Sequence, residues 1–270
     1  MNAKLQDFTY SNDNVRKTIK NLHFCDNRNE EQRLTMINSD FIDFSIIGQY
    51  DYKSMLESIQ KSITKHTPSL FIHNGQTINE NCNYIFKCDI KDSHFVSELF
   101  KLPVTINKQS SINGACNDKK GLLTINLMLN DVEINKSKIS TIGFTGESKA
   151  EDFTINSYIV MPVKKQSNDN IRIDFYSKLF NDTLQNSLKW SNNKNIRKLE
   201  GRLNLETALS KDNDGKFFIK SSIRPDSIIQ NDSVWYISGS TVSGNTERIN
   251  INGLYLYNNY QYLRLNGDIG

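Results

Sequence analysis

Apolar and polar residues recur along this chain at two periods, and the passage from one to the other sets the elements it predicts. Asp40 to Gly48 is a short apolar run of strand length. From Tyr52 to Ile63 the period lengthens, with Met55, Leu56, Ile59 and Ile63 on one stripe, which predicts a helix. Pro68 closes this strand–helix pair. Asn83 to Ile90 again reads as a strand, and Asp92 is placed to cap a helix through Phe95, Val96, Leu99 and Phe100 that Pro103 would end. The Ser-, Asn- and Gly-rich stretch from Asn107 to Gly121 reads as a loop leading into the apolar run Leu122 to Leu129. Residues 1–136 are therefore expected to be an α+β region, with a boundary near 107–136.

Beyond that boundary the period is two. Five strands are predicted: Lys138 to Phe144, Phe153 to Val163, Ile171 to Phe180, Ile196 to Leu209 and Lys216 to Ile223. One helix, Asp182 to Trp190, is predicted between the third and fourth, with Asp182 as its cap and Leu184 and Leu188 four residues apart. Five strands with a helix after the third is the order of the OB-fold, a partly open barrel whose face and loops bind oligonucleotides. The expected fold class is thus β-rich α+β: a five-stranded OB barrel over residues 137–230 behind an α+β extension. That extension could be a second, divergent barrel or an assembly module. Residues 231–270 are expected to be a β extension or arm. Their Trp235, Tyr236, Tyr255, Tyr257, Tyr260 and Tyr262 fit an interface as readily as a stacking surface.

Particular strings sharpen this picture. Leu199-Glu200-Gly201-Arg202-Leu203, then Asp212-Asn213-Asp214-Gly215-Lys216 and Phe217-Phe218-Ile219, resemble the fourth strand, hairpin and fifth strand of bacterial-type single-stranded DNA-binding proteins. Ile171-Arg172-Ile173-Asp174-Phe175-Tyr176-Ser177-Lys178 resembles that family's third strand. The likeness covers about residues 137–230. The family's usual acidic tail, which recruits partners, has no counterpart in the ending Leu263-Arg264-Leu265-Asn266-Gly267-Asp268-Ile269-Gly270, so recruitment of that kind is not expected; its compact bacterial members lack so long an N-terminal half, which points to a phage, viral or plasmid relative. The resemblance implies a noncatalytic protein that coats single-stranded DNA during replication or recombination, with RNA an alternative ligand and self-association expected. The rival reading is a phage or viral structural or interaction module without a nucleic-acid role.

Binding a strand without sequence preference needs aromatic faces for bases and cations for phosphates. Alternation puts Ile171, Ile173 and Phe175 on one face, and Arg172, Asp174 and Tyr176 on the other. It likewise turns Lys198, Glu200 and Arg202 away from Leu199, Leu203 and Leu205, and sends Phe217 and Phe218 to opposite faces. Gly201 would permit a bulge or close backbone approach, and Asn213-Asp214-Gly215 a hairpin turn. The candidate nucleic-acid residues are Lys164, Lys165, Arg172, Tyr176, Lys178, Lys198, Arg202, Lys216, Phe218 and Lys220, with Lys194 and Arg197 extending the second basic cluster.

Composition changes little. The chain has 270 residues, 37% of them hydrophobic and 23% charged, with a formal net charge of +3, which is too small to name a partner by itself. No run approaches the roughly 20 apolar residues of a membrane helix, and Met1 to Tyr10 lacks the apolar core of a signal peptide. A cytoplasmic, nucleoid or viral-factory location without membrane partners is the expectation. Cys25, Cys82, Cys88 and Cys116 fit no disulfide framework, and His66, His73, Cys82, Cys88 and His94 are not spaced as zinc ligands. No phosphate-loop, dinucleotide or nucleophile-elbow motif occurs, so neither enzyme, metal nor cofactor is expected.

Overall fold

The computed structural model describes residues 1–11, 16–70, 82–91, 93–99, 101–163, 169–192 and 198–270. Their dominant feature is period-two alternation, and it organises almost the whole chain into antiparallel strands. The chain divides into two units, one of Met1–Ser62 with Thr77–Ala150, the other of Ile63–Gln76 with Glu151–Gly270.

In the first unit the strands are β1 (Asn2–Ser11), β2 (Arg16–Arg28), β3 (Arg33–Ser39), β4 (Ile42–Gln49), β5 (Asn83–Ile90), β6 (Val104–Asn117), β7 (Leu122–Ile134) and β8 (Ser137–Ser148). Each pairs antiparallel with the next, a plain meander. Helix α1 (Tyr52–Thr64) interrupts it between β4 and β5, and the short α2 (His94–Leu99) between β5 and β6. Met55 and Ile59 of α1 pack against Ile46, Tyr50, Cys82, Tyr84, Cys116 and Leu123, which form the buried core of this unit.

The second unit continues with β9 (Phe153–Pro162), β10 (Asn170–Phe180), β11 (Thr183–Asn192), β12 (Leu199–Lys211), β13 (Phe217–Ile223), β14 (Asp226–Gln230), β15 (Ser233–Ile237), β16 (Ser240–Gly244), β17 (Ile249–Tyr257) and β18 (Tyr262–Ile269). From β9 to β12 each strand pairs with its successor. The end of β12 then pairs with β13 and its beginning with β14. These lead through β16 and β15 to the two ends of β17, which pairs with β18. Two short strand pairs side by side, β13–β16 and the hairpin β14–β15, thus fill the gap between β12 and β17.

This overturns the expected fold. The described residues are nearly all β, 70% strand and 8% helix, with antiparallel pairing, not a five-stranded OB barrel with an α+β extension. Two misread segments explain the difference. The predicted helix Asp182 to Trp190 is strand β11, because Leu184, Leu188 and Trp190 fit a period of two as well as a helical stripe. Asn181 and Asp182, with φ of 42° and 59°, make the tight turn of a β10–β11 hairpin instead of a cap. The predicted loop Asn107 to Gly121 holds most of β6 and a 3₁₀ turn at Asp118–Lys120. There the backbone pairs on both sides despite loop-like side chains, with a register slip between Lys108 and Ser111.

Elsewhere α1, α2, β4, β5, β9, β10 and β13 occupy the segments their patterns predict. The cap Asp92 and the strand start at Ile196 lie outside the described residues. The expected C-terminal arm carries β15 to β18.

Candidate apolar binding face

In an antiparallel sheet, residues paired across strands point to the same side, so register alone assembles the faces. Across the second unit one row runs Ile159, Ile173, Trp190, Gly201, Ile228 and Trp235. A parallel row runs Phe175, Leu188 and Leu203, and another Leu205 and Ile223. Towards the far edge, Ile249, Ile251, Leu254 and Leu256 of β17 pair with Ile269, Gly267, Leu265 and Leu263 of β18, the register shift between Ile251 and Leu254 keeping all four on one side. The face is mainly aliphatic and aromatic from β9 to β18, with the neutral polar residues Ser157, Ser177, Asn186, Thr207 and Ser221 interspersed on it. The charged residues that alternation puts on it, Lys211 and Asp226, are strand-terminal.

Such a face normally disappears under a second layer. Here it does not. Among the described residues of this unit Leu179 is the only fully buried hydrophobic side chain, while Trp190, Leu203, Leu205, Ile223, Trp235 and Leu256 are half-buried. At its centre Gly201 lies beneath the Trp190 indole: a Cβ there would meet Trp190 Cζ2 at 2.3 Å and Ile228 Cγ2 at 2.7 Å. What approaches the glycine closely is side chains, not the backbone expected there.

The first unit repeats the pattern with one difference. Leu22, Phe24, Ile37, Ile42, Phe44, Ile112, Leu127 and Phe144 share a face by register and are half-buried, whereas α1 covers the end that holds Ile46, Tyr84, Cys116 and Leu123. Beside this covered end sits a polar group. Arg33 forks onto Asp26 at 2.8 and 2.6 Å, Thr35 donates to the same carboxylate at 3.0 Å, and the guanidinium lies 4.1 Å from the Tyr52 ring centre. The Arg33 hydrogen bonds hold Asp26 well below the usual carboxylate range, at about 2.

The nucleic-acid candidates fall on the opposite side of the second unit. Arg172, Tyr176 and Lys178 of β10, Arg202 of β12, and Phe218 and Lys220 of β13 share that face by register, and the alternation expected for β10 and for the Phe217–Phe218 pair is the one observed. Acids occupy most of the cations. Arg172 reaches Asp174 at 2.7 Å and lies over the Tyr158 ring; Lys178 reaches Asp152 at 2.9 Å, Lys198 reaches Glu200 at 2.9 Å, and Arg202 reaches Asp226 at 3.2 Å. Lys216, in the β12–β13 turn where Gly215 takes φ of 76°, reaches Glu247 at 2.6 Å. Those acids favour the charged forms of Arg172, Lys178 and Lys216, whose side chains stay exposed to water. Lys164, Lys165, Lys194 and Arg197 lie outside the described residues. Nearer the β18 edge, Tyr236, Tyr255, Tyr257 and Tyr262 form one cluster, with ring centres 4.7 to 5.8 Å apart.

Cys82 and Cys116 are buried beneath α1, where Ser54 and Ser58 contact their sulfurs. Burial pushes both thiols up, Cys116 to about 11. Among the described residues no three His, Cys, Asp or Glu side chains are grouped to hold a metal ion, and His73 lies outside them. No helix among them is long and apolar enough to cross a membrane. The chain matches no family model, no curated protein and no solved structure.

The sequence reading missed the aliphatic face because it assigned each apolar stripe to a closed core. The signal was there. Strand after strand carries one apolar side, while among the described residues α1 is the only long amphipathic helix.

Proposed function

We propose that this protein is a noncatalytic carrier or scaffold whose aliphatic sheet face holds the hydrocarbon chains of amphiphiles. The observation that carries the reading is the neutral face from β9 to β18, with Leu179 the only fully buried hydrophobic residue among the described residues of its unit. Eight strand rows at about 4.8 Å spacing give it a width of about 34 Å. Water on that surface costs about 25 cal/mol per Å², so an occupant is favoured. Hydrocarbon requires no fixed hydrogen-bond partners, and each buried CH₂ contributes about 0.8 kcal/mol. Protein interfaces, by contrast, distribute about one hydrogen bond per 100–200 Å².

The chain's two tryptophans, Trp190 and Trp235, both lie on the central row and serve as reporters. Titrating the protein with a single-chain lysophospholipid below its micelle concentration is expected to shift their emission to the blue and saturate. Native mass spectrometry should show the lipid bound. A folded sample with neither response removes the reading.

A second reading, single-stranded DNA on the opposite face, is favoured by the sharing of that face by Arg172, Tyr176, Lys178, Arg202, Phe218 and Lys220. The ion pairs weigh against it, since each must open before its cation meets a phosphate. Titration of labelled dT oligomers at two salt concentrations tests it, with binding that weakens as salt rises as the expected result. Absence of binding at low salt ends it.

A further inference from the structure

Among the described residues β18 pairs with β17 alone, and all eight of its residues are exposed. Its outer row of backbone N–H and C=O groups is a template for another strand. Edges are usually blunted by charged side chains, above all lysine, by proline or by a covering segment; β18 contains neither lysine nor proline, and its charges are Arg264 and Asp268. Its side chains sort by face: Leu263, Leu265 and Ile269 continue the aliphatic side, while Tyr262, Arg264, Asn266 and Asp268 lie on the other.

We propose that a second copy of this chain occupies that edge, its β18 running antiparallel to the first about a two-fold axis through Asn266. In a symmetric antiparallel pair, partners must share a face and present their hydrogen-bonding groups alike, which limits the registers to those centred on a residue. Centring on Asn266 sets Arg264 opposite Asp268 of the second copy, twice by symmetry. It also sets Leu263 opposite Ile269, and Leu265 opposite Gly267, where no side chain competes for space. Moving the centre to Leu265 or Gly267 puts Arg264 opposite Asn266 or Gly270 and breaks the charge match. Asp268 is already held by Arg248 at 3.1 Å and Asn250 at 3.0 Å, whereas Arg264 forms no ion pair among the described residues. The strand therefore carries a fixed anion and an uncommitted cation at self-complementary positions. This inference is independent of the amphiphile reading, since it rests on the backbone edge and the polar side of β18.

Charge reversal tests it on the full, lipid-free chain by sedimentation equilibrium. The parent is expected at twice the chain mass of 31.1 kDa. R264D sets carboxylate against carboxylate at both ends of the pairing, and D268R sets guanidinium against guanidinium. Each alone should weaken the dimer about tenfold or more, since like charges across two strands repel where opposite ones attracted. An equal mixture of the two variants should recover a dimer, because each supplies the charges the other lacks. Amide exchange from Tyr262 to Ile269 should slow with concentration in the parent. A monomeric parent, single variants that dimerise like the parent, or a mixture that stays monomeric would each overturn the proposal.

Discussion

At Gly201 an entire side chain is excluded by geometry. The Trp190 ring and Ile228 fill the space a Cβ would need, so Gly201→Ala is expected to displace the indole and cost about 1–3 kcal/mol of stability. Urea denaturation measures the loss, and a changed tryptophan emission maximum in the native state locates it. Asp26 offers a titration instead. Its folded value of about 2 lies below the ordinary 3.8, so its contribution is complete above about pH 4 and is lost as pH falls towards 2. Thermal melts should show Asp26→Asn less stable than the parent at pH 5, with the gap closing between pH 4 and 2. A gap constant with pH would mean that the Arg33–Asp26 fork contributes nothing through charge. These residue-level details were only partly open to sequence reading. At Gly201 the sequence points to a bulge or close backbone approach, where side chains crowd in instead, and nothing in the order of residues pairs Arg33 with Asp26, because that contact joins two strands through their register.

Among the elements, α1 shows how an amphipathic pattern acquires its meaning from its packing partners. Ile59 packs on the first unit's core while Leu56, on the same predicted stripe, is 73% exposed. Ile59→Ala should therefore cost about 2 kcal/mol, and Leu56→Ser less than about 0.5 kcal/mol, by chemical denaturation. Equal costs would mean that the helix packs differently. The β10–β11 turn is a second such element. Asp182 accepts the Ser69 N–H at 3.0 Å and donates its own N–H to the His66 carbonyl at 2.9 Å, both from a positive-φ position. Asp182→Ala loses the side-chain bond and strains the turn, for an expected cost of about 1–2 kcal/mol. The helix expected here fails for a definable reason: residues four apart coincide in a strand as well as in a helix, and only the turn chemistry of Asn181 and Asp182 separates the two.

For the molecule as a whole, the uncovered face makes a prediction that a closed core would contradict. Leu203 lies in the middle of that face yet is only half-buried. Leu203→Asn should lower stability by less than about 1 kcal/mol, against about 2–5 kcal/mol for truncating a leucine in a packed core, while sharply weakening lysophospholipid binding. Denaturation midpoints and the fluorescence titration read the two effects separately, and a core-sized loss of stability would show that the face is covered. Residue order alone was enough to place the alternation, several strands, α1 and the apolar side of each strand, because period and turn chemistry are local properties. It was not enough to show that the strands remain in open meanders rather than closing as an OB barrel. Nor did it show that most of the expected nucleic-acid cations pair with acids, or that the aliphatic side leaves most of its side chains no more than half-buried. Strand pairing is made by backbone groups common to every residue, so the order in which strands join, and hence the surroundings of each apolar face, is set by contacts between distant segments.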